Sequence, residues 1–436
     1  MPTEERPSGT HCAIDFGTSN SAVAKVWPSA GNRGAARSVQ LAALEHGATS
    51  MPTAVFYNGE DGSLSYGRAA IAAYVDGHEG RLMRSLKSIL GSDLMDEATE
   101  LPNGLQVRYL DVVVTYLRHL KQQAEAHWKS SIERVVIGRP VFFVDDDPKR
   151  DARAQDALSR AAKAAGIAEV QFQFEPIAAA LDYESRLNPG DGERLVLVAD
   201  IGGGTSDFSL VRASASAHGR IDRRGDVLGN HGVHTAGTDF DRSINLATIM
   251  PILGYGGLGP GDRPVPSKVY FDLATWHLIN TNYAPKRIAE LRLMRPMYSN
   301  LLAHERLMRV LEQQRGHDLS ARSEAAKIAV SESGIAKIFL DFIEPGLEKE
   351  LTEIQQSLSL RQDIERVVGA AHETLRSAQV APSQVDALYF TGGSTGLENL
   401  VAKLAATSPS AQVVRGDRYA SVVSGLAITA SRTFAG

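Results

Sequence analysis

The run Asp200-Ile201-Gly202-Gly203-Gly204-Thr205-Ser206-Asp207 constrains this chain more than any other stretch. Leu195-Val196-Leu197-Val198-Ala199, apolar throughout, leads into it, and Phe208-Ser209-Leu210-Val211 leaves it. The pattern predicts a strand, a tight glycine turn and a second strand. Adjacent glycines reach backbone conformations closed to other residues and remove side chains that would hold a ligand away. Their N–H groups can converge on an anion, and Thr205 and Ser206 add hydroxyl donors. Asp200 and Asp207 flank the turn, and carboxylates beside an anion make sense when a cation lies with them. The simplest ligand with those properties is a metal-bound polyphosphate.

The same device occurs earlier, in Ala13-Ile14-Asp15-Phe16-Gly17-Thr18-Ser19-Asn20-Ser21, with Ala22-Val23-Ala24-Lys25-Val26 following. Two copies of strand, Asp, Gly, hydroxyl residues and strand predict two similar lobes, each offering one hairpin to a shared cleft. The length, 436 residues, leaves room for two or more domains with full cores.

Composition closes off other classes. The net charge is −5 and no long basic run occurs, which argues against nucleic acid as a partner. Cys12 is the single cysteine, so an internal disulfide is impossible. No apolar run approaches the roughly 20 residues that span a bilayer, and the polar stretch Met1 to Thr10 lacks a signal-peptide core. A reducing, cytoplasmic location without a membrane partner is the expectation.

Along the chain, Val112 to Trp128 reads as a long amphipathic helix and Pro148 to Gly166 as a helix with a glycine C-cap. Glu175-Pro176 opens another helix, with proline suitably placed in its first turn. Residues 250–299, rich in Gly, Pro and aromatics such as Tyr255, Tyr270, Phe271, Trp276, Tyr283 and Tyr298, read as an insertion. Leu301 to Ser333 and Lys337 to Gln379 read as helical, and Tyr419 to Ser431 as a closing small-residue helix. Three motifs are decoys. Gly254 to Gly259 matches GxGxxG, yet Pro260 and Pro264 stand where a helix should start. Gly392 to Gly396 matches GxSxG, yet no histidine follows Ser394 to complete a triad. His231 and His234 lack carboxylate or thiol partners at ligand spacing and read as loop residues.

Taken together the motifs carry a resemblance. Ile14 to Ser21 resembles the first phosphate motif of the DnaK-type heat shock protein 70 family, Asp200 to Asp207 the second, and Phe390-Thr391-Gly392-Gly393-Ser394-Thr395 the adenosine motif. Glu175 to Tyr183 and Val422 to Ala427 are similar to the two connecting helices. Met51-Pro52-Thr53 and Tyr66-Gly67 match the opening of the small first-lobe subdomain, which separates the chain from actins and sugar kinases.

The resemblance implies an α/β, actin-like (ribonuclease H-like) duplicated ATPase fold, two lobes around a nucleotide cleft. Lobe I would span 1–193 with a small subdomain at about 45–115. Lobe II would span 194–412 with the 250–299 insertion, and 413–436 would close back onto lobe I. It implies ATP or ADP with Mg²⁺. Asp15 and Asp200 would hold the metal, largely through water. Gly17, Thr18, Ser19, Asn20, Gly202, Gly203, Gly204 and Thr205 would cradle the phosphates. Lys87, in Leu86-Lys87-Ser88, would stabilise developing charge, and Glu175, Asp207 and Thr205 would complete the hydrolytic group. Glu324, Lys327 and Ser331 would meet adenine and ribose, with Gly392, Gly393 and Ser394 under the base. Gly396 stands where the family carries a base-stacking arginine, which implies weaker adenine affinity. The short length resembles the YegD-type form that carries the ATPase domain without a peptide-binding domain. The expected activity is slow ATP hydrolysis in a chaperone-like protein, with a client or co-factor protein on the insertion. The alternatives are an actin-like filament former, a small-molecule kinase of the same superfamily and a nucleotide-gated interaction module.

Overall fold

The computed structural model describes residues 10–434 apart from 28–37, 102–103, 105, 145–146, 189, 218–219, 221 and 419. The polar N-terminus through residue 9, Tyr419 and the final two residues therefore lie outside the described residues. Contacts divide the chain into two compact units. One comprises Met1–Gly232, Ala370–Gly393 and Thr407–Gly436; the other comprises Val233–Gly369 and Ser394–Ala406.

The first unit holds two sheets of matching design. In one, the order is Glu169–Phe174, Ile132–Arg139, Thr10–Phe16, Asn20–Trp27, Ser38–Leu41, with Ser50–Pro52 also pairing Asn20–Trp27. In the other, it is Gln412–Arg415, Ala387–Thr391, Arg194–Ile201, Ser206–Ala213, Val227–Val233. In each, the strand ending in the motif aspartate pairs antiparallel with its hairpin partner and parallel with a later strand. The parallel central strands are apolar on both faces, as burial on both sides requires. One shared core explains why the expected 193/194 lobe boundary is not where the contacts divide. Ala13 and Val136 of one sheet, and Val196, Val198, Ala387 and Tyr389 of the other, belong to a single buried cluster. The helices Glu175–Glu184 and Ser421–Phe434 supply Ile177, Leu181, Val423 and Leu426 to it. These helices cross tightly at Gly425, where any Cβ would run into the Ala178 carbonyl.

The small subdomain expected near 45–115 contains a three-stranded sheet, Leu64–Tyr66, Ala54–Asn58 and Gly80–Arg84, and a hairpin, Ala98–Glu100 with Gln106–Arg108. The long amphipathic helix is Tyr109–Trp128, whose Val112, Val113, Tyr116, Leu117 and Leu120 are buried.

The second unit is mainly helical: Gly237–Thr248, Leu301–Glu312, Gly316–Ser333, the beginning of Glu353–Ser377, and Glu398–Ala405. The reading of 337–379 as helix is corrected here. Ile335–Phe339 and Glu348–Thr352 form an antiparallel hairpin before the helix starts. Residues 335–339 alternate exposed and buried, a period of two rather than 3.6, and Gly346, at φ +76°, makes the return. His231 also departs from expectation, lying in the strand Val227–Val233 rather than in a loop.

The insertion contains the short helices Lys268–Ala274 and Pro285–Leu293. Of its aromatics, Tyr270 and Tyr298 are buried, with their hydroxyls 2.9 Å apart, and Tyr255, Phe271, Trp276 and Tyr283 are half-buried. The Tyr255 ring sits 5.6 Å from Tyr270 and 5.5 Å from Phe271. The glycines at 254–259 open no α-helix, and a single 3₁₀ turn, Pro260–Asp262, follows. Among the described residues, no helix is long and apolar enough to cross a membrane.

Candidate functional site

The first hairpin turn is braced from the small subdomain's entry. Thr53 Oγ1 donates to the Gly17 carbonyl at 2.7 Å, and Thr53 N donates to the Ser19 carbonyl at 2.9 Å. The hydroxyls of Thr53 and Ser21 share a 2.9 Å hydrogen bond, and Tyr116 Oη donates to the Pro52 carbonyl at 3.0 Å. A buried network with its members satisfied holds a turn in one geometry. Thr53, which the sequence offered as part of a subdomain signature, is thus a support of the first hairpin turn.

The second turn is closed by Gly202 N donating to the Thr205 carbonyl at 3.0 Å, with Asp200 and Asp207 directly paired across the strands. The two turns face each other closely: a Cβ on Gly203 would stand 2.5 Å from Ser19 Oγ, and one on Gly204 would stand 3.8 Å from Thr18 Cγ2. Gly392 abuts the same place. Its φ is +89°, and a Cβ there would meet the Ile201 carbonyl and stand 2.7 Å from Asp200 Oδ1. The first unit therefore gathers Gly17 to Asn20, Gly202 to Thr205 and Gly392, with Gly393 next in sequence.

Charge is concentrated beside these turns. Lys87 Nζ lies 2.5 Å from Glu175 Oε1, with the two side chains 11% and 16% exposed. Lys87 follows Ser85, a non-glycine residue at φ +54°, on the 3₁₀ turn Leu86–Ile89. Glu175 opens its helix at the end of the strand Glu169–Phe174. Burial raises the Asp15 carboxyl to about 7, with Glu175 adding to the rise and Lys87 opposing it. Burial raises Asp200 to about 8, assisted by Asp207, Glu175 and Asp15. Burial alone would lower the Lys87 ammonium, but Glu175, Asp15 and Asp207 outweigh it and the net direction is up. Four carboxylates thus lie about one ammonium, and burial, with the excess negative charge adding to it, raises two of them. That donor set fits a hard divalent cation such as Mg²⁺, which binds through one or two carboxylates together with phosphate oxygens. Among the described residues, no group of three or more His, Cys, Asp and Glu forms a ready-made metal cage.

The residues expected to meet adenosine lie mainly in the second unit, on the helix Gly316–Ser333. Glu324 is exposed, but Lys327 is buried and does not form an i,i+3 pair with it. Lys327 Nζ instead lies 2.7 Å from Asp241 Oδ1. Burial lifts Asp241 to about 6 against the pull of Lys327. Ser331 Oγ donates to the Lys327 carbonyl at 3.0 Å. Ser394 is buried, and its carbonyl accepts from Leu397 N at 3.2 Å. Sequence reasoning missed Asp241 as the partner of Lys327. The signal was the carboxylate pair in Gly237-Thr238-Asp239-Phe240-Asp241 at the start of the helix Gly237–Thr248.

Paired sheets of one topology, each ending its central strand in a motif aspartate before a hairpin turn, define the actin-like ATPase fold. A family model described as Hsp70 protein matches residues 12–247, more than half of the chain, and the chain belongs to that family. It is 31% identical over 250 residues to a chaperone protein HscA homolog of Vibrio vulnificus, covering 53% of this chain and 36% of that protein. It is 30% identical over 305 residues to a chaperone protein HscA homolog of Laribacter hongkongensis, covering 65% of this chain and 45% of that one. It is 29% identical over 231 residues to the chaperone protein DnaK of Thermosipho melanesiensis, covering 53% of this chain and 34% of that relative. The matched part spans less than half the length of each of these relatives.

Proposed function

We propose that this chain binds Mg²⁺–ATP and hydrolyses it slowly. The observation that carries the reading is the group Asp15, Lys87, Glu175 and Asp200, with Asp207 exposed at its edge, beside two facing phosphate-type turns. Gly203 and Gly204, in the turn that Gly202 N closes onto the Thr205 carbonyl, would face the β- and γ-phosphates with their backbone, and Thr18, Ser19 and Thr205 would offer hydroxyls. When bound, Mg²⁺ neutralises and orients the phosphate oxygens, with Asp15 and Asp200 as its carboxylate anchors. Lys87 is held in place by Glu175 and stays charged, so its ammonium meets the negative charge that develops on the transferring group. Asp207 and Glu175 are acceptors suited to orienting a water. Phosphoryl transfer asks for such positioning and charge neutralisation more than for covalent help. ADP is the product that shares these contacts. A client or co-factor protein is the further partner we propose. Tyr270 and Tyr298 are buried, so the surface offered to it would comprise the half-buried Tyr255, Phe271, Trp276 and Tyr283 and other side chains of 250–299.

Single-turnover hydrolysis of Mg²⁺–ATP by the chain and by Lys87→Ala tests the reading. We expect the variant to retain nucleotide while its rate falls about 10²–10³-fold, the usual loss when a transition-state charge stabiliser is removed. An unchanged rate overturns the role of Lys87. Absence of binding at millimolar ATP overturns the function. Turnover that requires an added hydroxylated metabolite would favour a kinase instead.

A further inference from the structure

Lys25, on the strand Asn20–Trp27, is only 5% exposed. A lysine buried to that degree is normally paired with an acid, because an ammonium taken out of water without a partner is costly. Among the described residues, Lys25 Nζ has no hydrogen-bond or ion-pair partner. Its surroundings are aromatic instead. Nζ stands 4.3 Å from the centre of the Trp27 ring and 4.5 Å from that of Trp128, the last residue of the helix Tyr109–Trp128. Ring faces offset only part of the cost of burying a cation. Burial accordingly holds the Lys25 ammonium below its ordinary range, with the Cys12 thiol opposing. Glu125, whose charge acts on Cys12, is already engaged: its Oε1 accepts from Lys121 Nζ at 2.6 Å and from Ile132 N at 2.7 Å. Trp128 adds a second unpartnered donor, since its Nε1 is buried without a hydrogen-bond partner. An ammonium over an indole whose own N–H is also unpaired describes a place for an acceptor.

We propose that Lys25 and Trp128 bind the carboxylate of a small apolar acid, one oxygen accepting from Nζ and the other from Nε1, with the apolar body against Trp27, whose ring is 49% exposed. One ammonium and one neutral N–H match a single charge spread over two oxygens. A phosphate, with more charge and more oxygens, is better met by several amides or by guanidinium forks. Indole walls favour an apolar body over a hydrated one. Lys25 is about 16 Å along its strand from Asn20 in the first hairpin turn, so the site stands apart from the nucleotide reading.

Phenylacetate and its neutral amide, phenylacetamide, test this on the whole chain labelled with ¹⁵N. The three tryptophans give three indole N–H signals, assigned with Trp27→Phe and Trp128→Phe. Phenylacetate should move the Trp128 signal downfield as its N–H gains an acceptor, should perturb Trp27, and should leave Trp276 in place. Phenylacetamide should bind at least about fivefold more weakly, and phenylacetate should bind Lys25→Met at least about tenfold more weakly, the weight of a hydrogen bond to a charged group. Without ligand, Lys25→Met should unfold a few degrees higher, because an apolar chain of similar length replaces an unpaired buried ammonium. Trp27→Ala, at a half-exposed position, should weaken phenylacetate severalfold and serves as a second check that does not depend on how Lys25→Met folds. Equal affinities for acid and amide, undiminished binding in either variant, or movement of Trp276 alone overturns the proposal. So does the lack of a saturable shift at tens of millimolar phenylacetate, which would leave Lys25 held by its two indoles alone.

Discussion

The two hairpin turns of the first unit come from the same strand pattern, yet they are made differently. The turn at Gly17 keeps side chains, Thr18, Ser19 and Asn20, and is held by the Thr53 hydroxyl and amide. The turn at Gly202 strips side chains away, and glycine there is demanded by proximity: Ser19 Oγ stands where a Cβ of Gly203 would point. The two turns share a topology and differ in chemistry: the first presents mainly side chains, the second mainly backbone with the Thr205 hydroxyl at its end. Each depends on a neighbour distant in sequence. For the first turn it is Thr53; for the second it is Gly392, pressed against Ile201 and Asp200.

The strongest way to break the second turn is Gly392→Ala. Its φ of +89° is strained for alanine, and the added methyl would collide with the Ile201 carbonyl and crowd Asp200 Oδ1. Strain and overlap together should cost about 3 kcal/mol, read as a fall in the unfolding midpoint. Mg²⁺-dependent ATP affinity should fall with it, because Asp200 must move. An alanine variant as stable as the parent would show that the strand end can yield, and that Asp200 is less firmly placed than the contacts require.

A second comparison sets the two aspartates against each other by pH. Asp15 is raised to about 7 and Asp200 to about 8, far above their values in an unfolded chain. A carboxyl with a raised folded pKa binds its proton more tightly in the native state. Its contribution to stability is complete below about pH 4 and is lost as pH rises through about 7 to 8. The metal-free chain should therefore lose on the order of 2 kcal/mol from this group of charges between mildly acidic and mildly alkaline pH, since coupled carboxylates do not add independently. Asp200→Asn should flatten the loss more than Asp15→Asn. Mg²⁺ should restore stability most at the alkaline end, where both carboxylates are free of protons. Denaturant titrations across that range decide it; a parallel pH dependence in wild type and Asp200→Asn would remove Asp200 as its source.

Much of this arrangement was legible in the sequence because it depends on local rules. Glycine runs, strand-ending aspartates and a proline after Glu175 specify backbone geometry over a few residues, and the turns, the helix Glu175–Glu184 and the paired sheets follow. What was hidden depends on distant partners. From sequence Lys327 reads as an adenosine contact beside Glu324, and only the helix Gly237–Thr248 brings Asp241 to it. Residues 337–352 carry enough charged, helix-tolerant residues to pass for helix, and the two-residue alternation of a short hairpin is easily lost inside a long polar stretch. The shared core of Ala13, Val196 and Leu426 joins strands on either side of the expected boundary at 193/194, which no local pattern reveals.

The smallest effect sharpens the comparison most. Thr53→Val keeps the shape and removes the hydroxyl, so Gly17 loses its donor and Ser21 its partner, while Thr53 N can still reach the Ser19 carbonyl. The residue is 1% exposed, so water does not readily replace what is lost. A neutral hydrogen bond removed from a buried site should cost about 1–2 kcal/mol, a drop of a few degrees in the midpoint of the first unit. If the hydroxyl serves stability alone, ATP affinity should be unchanged at a temperature where the variant is fully folded. If it aims the turn, affinity should fall severalfold there, because the Gly17 peptide is free to rotate and Thr18 and Ser19 lose their fixed positions. Thr53→Ser, which keeps the hydroxyl and loses the methyl, should recover that affinity. Equal affinities in wild type, Thr53→Val and Thr53→Ser would mean that the first turn is shaped by its own backbone, as the glycine turn is, and that the two hairpins are more alike than their side chains suggest.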